Sequence, residues 1–91
     1  MNGRDVLLIL THLFRKKGNP IQVDDAIEFI SFRCRYGRPS QVRRLLNMAI
    51  DNEMISRDED SIRAEFLFDR QVLPPNLVES LKNNLSVGKD L

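Results

Sequence analysis

Two proline-terminated stops, Gly18-Asn19-Pro20 and Gly37-Arg38-Pro39, cut the first half of the chain into three stretches, each with apolar residues at a helical period. Glycine takes the left-handed conformation that closes a helix, and proline cannot donate to the ladder that would continue it. The first stretch predicts a helix over Arg4–Lys17 with Val6, Leu7, Ile9, Leu10, Leu13 and Phe14 on one stripe. Leu8 and His12 fall four apart on its far side, away from that stripe. Ile21 is at most one extended residue. The second helix is expected over Val23–Tyr36, with Asp24 and Asp25 at the positive end of its dipole and Val23, Ala26, Ile27, Ile30 and Cys34 on its core stripe. At about 100° per residue, Phe29, Phe32 and Tyr36 gather on the opposite face, which makes this helix apolar on two sides and therefore central. Ser40 is suited to cap a third helix. There Val42, Leu45, Leu46 and Ala49 face inward, while Gln41, Arg43, Arg44, Asn47 and Asp51 face out.

The second half changes period. Ser56–Ser61 is turn-like and acidic, with Asp58-Glu59-Asp60 at its middle, and Ile62–Phe68 alternates as a strand does. A β-hairpin follows, with Ile62, Ala64, Phe66 and Phe68 inward and Arg63, Glu65 and Leu67 outward. Pro74-Pro75 ends the strand. Leu77, Val78, Leu81 and Leu85 then form a narrow stripe on a last helix too short to persist unless it docks. The 91 residues read as one α+β domain: a core over 4–68, a linker over 69–76, a C-terminal helix over 77–85 and a frayed end over 86–91.

What is missing excludes several kinds of function. Cys34 is the sole cysteine, so neither an internal disulfide nor a thiolate metal cluster can form, and its place on an apolar stripe makes it a small hydrophobe in a reducing compartment. His12 is the sole histidine and reads as a surface residue. Without a second histidine or a nucleophile set there is no basis for an enzyme, a metal or a cofactor, and four scattered glycines build no phosphate loop. The run Asp58-Glu59-Asp60 lacks the spacing of a calcium loop. No small-molecule ligand is evident. The longest apolar run, Val6–Leu10, is five residues against roughly 20 for a membrane span, so a soluble, cytoplasmic protein with no membrane partner is expected.

Charge is the informative quantity. Fourteen basic and thirteen acidic residues give +1 overall, but residues 1–50 hold 9 basic against 4 acidic, a surplus of +5, and residues 51–91 hold 5 against 9, a deficit of −4. Arg33, Arg35, Arg38, Arg43 and Arg44 fall within the second helix, the turn and the third helix. Either they form a face for phosphates and guanine edges, or they are a solvated surface paired with Asp24, Asp25 or Asp51.

Three helices, a tight turn between the second and third, and a hairpin resemble a winged helix-turn-helix domain over Arg4–Phe68, with Ser40-Gln41-Val42-Arg43-Arg44-Leu45-Leu46 in the recognition-helix place. Through Phe66-Leu67-Phe68-Asp69, Val72 and Pro74-Pro75 the chain is also similar to an uncharacterised family of small archaeal proteins of unknown function, which implies fold and source but no activity. It departs from many winged domains in having no glycine after the third helix. Asn52 is expected to take the left-handed cap instead. The resemblance implies a non-catalytic, transcription-related protein that binds double-stranded DNA, with Arg43, Arg44 and Asn47 near bases and Gln41, Arg38 and Arg35 near phosphates. The acidic hairpin tip would repel the backbone. The alternative is a protein-interaction module or homodimer using Phe29, Phe32 and Tyr36 or the acidic hairpin.

Overall fold

Helix α1 (Gly3–Lys17) opens the computed structural model, which describes residues 3–81. Val6, Ile9, Leu10, Leu13 and Phe14 are buried as the stripe predicts, but so are Leu8 and Thr11, while Leu7 is half-buried. The helix is thus enclosed on more of its girth than one stripe would give. The Thr11 hydroxyl avoids an unpaired burial by donating to the Leu7 carbonyl at 2.7 Å. Gly18, at φ 98°, closes the helix with its N–H on the Phe14 carbonyl at 2.9 Å.

Strand β1 (Ile21–Gln22) leads into α2 (Val23–Glu28), which widens into a π turn over Phe29–Arg33. The second helix therefore stops short of the expected Tyr36. In a π turn each residue advances less around the axis, so residues spaced for an α-helix lose their common face. Arg35 then reverses the chain with φ 58°, and the Tyr36 N–H reaches back to the Ile30 carbonyl at 3.0 Å.

Helix α3 (Pro39–Asp51) starts two residues earlier than a Ser40 cap would require. Proline suits the first helical position, where its missing N–H costs nothing. Arg38 occupies the cap position, and its backbone N–H donates to the Gln41 side-chain oxygen at 2.8 Å. At the other end Asn52 keeps φ at −93° and Glu53 takes the left-handed position with φ 62°. Asn52 uses its side chain otherwise, donating to the Met48 carbonyl at 2.9 Å. The Glu53 N–H bonds Ile50 O and the Met54 N–H bonds Ala49 O, the paired closure of a Schellman motif, whose left-handed residue is usually glycine. Glu53→Gly is expected to raise stability by about 1 kcal/mol, since a non-glycine residue pays roughly that to hold positive φ. A higher urea midpoint at unchanged m-value checks it.

Strands β2 (Ile55–Asp58) and β3 (Ser61–Ala64) form the expected hairpin, with a second leg that ends at Ala64 rather than Phe68 and a first leg that runs further toward the turn than expected. Ser56–Asp58 belong to the strand, leaving Glu59-Asp60 as a two-residue turn with Glu59 at φ 56°. β3 also pairs with β1, Ile21 opposite Ile62, so the sheet is antiparallel and three-stranded in the order β1-β3-β2 rather than a lone hairpin. The Val23 N–H adds a bond to Asp60 O at 2.7 Å. Asn19 Oδ1 accepts from the Ala64 N–H at 3.0 Å.

Past Ala64 the chain leaves the sheet, and Phe68–Arg70 form a single 3-10 turn. Phe66 and Phe68 nevertheless turn inward as expected and surround the Phe14 ring at 6.4 and 5.7 Å between centroids. The Arg15 guanidinium holds this segment to α1 by donating to the Phe68 and Gln71 carbonyls. Helix α4 (Leu77–Leu81) buries Leu77 and Leu81 in the same core as α1, α3 and the sheet. The expected continuation to Leu85 and the frayed 86–91 lie outside the described residues. The fold is α+β: helices packed with one small antiparallel sheet. Among the described residues no helix is long and apolar enough to cross a membrane.

Candidate nucleic-acid interface

Helix α3 divides cleanly. Val42, Leu45, Leu46 and Ala49 are buried, while Arg43, Arg44 and Asn47 are exposed on the other side. Gln41 is half-buried at the helix start, and Met48 adds a partly exposed apolar side chain to the same outer surface. Arg33, Arg35 and Arg38 are exposed before it. Among the described residues none of these five arginines makes an ion pair, so pairing with Asp24, Asp25 or Asp51 does not occur there.

Two concavities sort the expected contact residues. One, of about 230 Å³, lies between the start of α2, α3 and the hairpin. Its floor is Ile27, Leu46, Ile50 and Ile62, and Arg43, Asn47, Arg57 and Asp24 line it above. The other, of about 320 Å³, lies at the turn into α3 and brings Arg35, Arg38 and Gln41 together with Phe32. Arg44 falls between them, about 60° around the helix from Asn47 on one side and from Gln41 on the other. The predicted set is therefore one band on the outer side of α3 that ends in a groove at each edge.

Arg57 also lines the first groove, although in the sequence it stands in a segment that reads as an acidic turn. It is exposed at the end of β2, with its Nε–H on the Glu59 carbonyl at 2.8 Å. The signal was parity: Arg57 shares a strand face with buried Ile55, two residues before it, and that face looks toward α3. Asp58, Glu59 and Asp60 are exposed at the tip beyond it.

The aromatic face expected on the second helix does not exist as a unit. Phe29 and Tyr36 are 8% and 0% exposed, and Phe32 is 62% exposed. The π turn and the left-handed Arg35 account for the split, by rotating Phe32 outward relative to its neighbours and folding Tyr36 back under α1. His12, expected at the surface, is half-buried there. Its Nδ1 is hydrogen bonded to the Tyr36 hydroxyl at 3.0 Å and lies 3.8 Å from Cys34 Sγ, and the imidazole meets the Phe29 ring edge-on at 5.2 Å. Burial lowers the His12 pKa, helped by the nearby charge of Lys16, and burial raises those of the Cys34 thiol and the Tyr36 phenol. At neutral pH all three stay uncharged, which suits a polar cluster closing the gap between α1 and the second helix. Among the described residues no three His, Cys, Asp or Glu side chains converge to hold an ion.

No family model, curated protein or solved structure matches this chain.

Proposed function

We propose that the chain is a winged helix-turn-helix domain that binds double-stranded DNA by laying α3 in the major groove, without catalysis. The element order supports this reading, since a short strand, two helices and a hairpin follow α1 and the three strands join in one sheet. The observation that carries it is the outer band of α3, where Arg43, Arg44 and Asn47 stand exposed with no acidic partner among the described residues. A major groove about 12 Å wide admits a helix, and an arginine fork or an asparagine amide reaches guanine or adenine edges there. Arg35 and Arg38, before the helix, are placed for phosphates. Charge repulsion keeps the acidic Asp58–Asp60 off the backbone, so the hairpin contributes Arg57, just before the tip, rather than its turn.

Anisotropy titration of a labelled mixed-sequence duplex tests this. With three or so phosphates neutralised, the affinity should fall about 40-fold between 50 and 200 mM salt. Absence of binding at the lower salt, or binding indifferent to salt, overturns it. The protein-partner reading loses Phe29 and Tyr36 to the core and keeps only Phe32.

A further inference from the structure

The groove at the turn into α3 holds an exposed aromatic ring that duplex reading does not use. Phe32 is 62% exposed in a chain whose other rings are buried or half-buried. Around it stand the guanidinium-bearing Arg35 and Arg38, the ring of Pro39 and the amide of Gln41, and among the described residues no carboxylate lines the groove. The Gln41 oxygen fixes the groove's edge by accepting from the Arg38 backbone. We infer that this groove binds an unpaired nucleotide of single-stranded DNA, the base stacking on Phe32 and its flanking phosphates meeting Arg35 and Arg38.

The shape favours this occupant over an acidic peptide. A peptide anchor needs a closed apolar pocket that excludes water around it, whereas this groove is open and offers one ring as a platform. Stacking asks for nothing more than an accessible ring, because every base has a π face, and arginines along the same path supply the backbone contacts. The volume, about 320 Å³, has room for one nucleoside. Gln41 sits beside Arg44 on α3, so the groove continues the band assigned to the duplex. Resting on that reading for its neighbour only, the inference makes the protein a binder of places where a duplex meets an unpaired strand.

The chain has no tryptophan, so Phe32→Trp in the full chain installs a single reporter at an exposed position. Titration with an oligothymidylate of about fifteen nucleotides should quench its emission, and Phe32→Ala should weaken single-strand binding about tenfold while duplex affinity stays within about twofold. Phe32→Tyr should restore binding. Emission unchanged at saturation, or single-strand affinity equal in wild type and Phe32→Ala, overturns the inference and leaves the duplex reading standing. Quenching without any duplex binding overturns the duplex reading alone. Equal quenching by a polyglutamate peptide, or tighter binding of oligouridylate than of oligothymidylate, overturns the assignment to single-stranded DNA.

Discussion

Phe14→Ala is expected to cost about 3–5 kcal/mol, a large share of the stability of so small a domain. A domain of this length has roughly 5–14 kcal/mol to lose. Phe14 is 1% exposed and stands between α1 and the segment after the hairpin, its ring flanked by Phe66 and Phe68. Truncation removes more than a transfer contribution. It leaves a cavity beside those two rings, and it loosens the turn that Arg15 anchors through the Phe68 and Gln71 carbonyls. Urea unfolding followed by far-ultraviolet circular dichroism gives the number. Leu67→Ala is the control, since Leu67 lies between the two rings in sequence but is 67% exposed, and its loss should stay within about 0.5 kcal/mol. A loss below about 1 kcal/mol for Phe14→Ala would mean that the 66–70 segment is not packed on α1 in solution.

The second large effect concerns binding. Arg43→Glu combined with Arg44→Glu should lower duplex affinity about a hundredfold at 50 mM salt, because two cations leave the interface and two anions replace them. Both positions are exposed and make no ion pair among the described residues, so the melting temperature should barely move. That separation makes the pair informative: a stable, folded variant that still binds duplex within about threefold of wild type would remove α3 as the reading helix.

The helices were legible because their boundaries are chemical. Gly18 and Pro39 stop and start helices at the positions where their backbones demand it, and the buried stripe of α3 follows its period without exception. The π turn was not legible, since Phe29, Phe32 and Tyr36 are spaced as an α-helix would use them and nothing in their identity announces a wider turn. β1 is two residues long and so has no period to detect; its existence depends on Ile62 being free to pair on its second edge. In the hairpin, alternation outlived hydrogen bonding. Phe66 and Phe68 keep the inward parity of Ile62 and Ala64 but reach the core after the strand has ended. The same limits apply to the interface. Arginines on α3 are readable from a helical wheel, whereas Arg57 needs the strand parity that an acidic neighbourhood conceals.

Strand order has a consequence for how this fold can vary. With β3 in the middle, paired on one edge with β2 and on the other with the strand that precedes α2, both legs of the hairpin are fixed to the body of the molecule. Only Glu59-Asp60 lies beyond the ladder between the legs, its carbonyls held by the Arg57 guanidinium and the Val23 N–H. A longer connection inserted there lengthens a loop whose ends are already held together, at a cost that grows by only about 0.6 kcal/mol per doubling. The tip is thus a graft point: its length and charge can be exchanged, acidic for basic, while the register beneath it and the face of α3 beside it stay as they are.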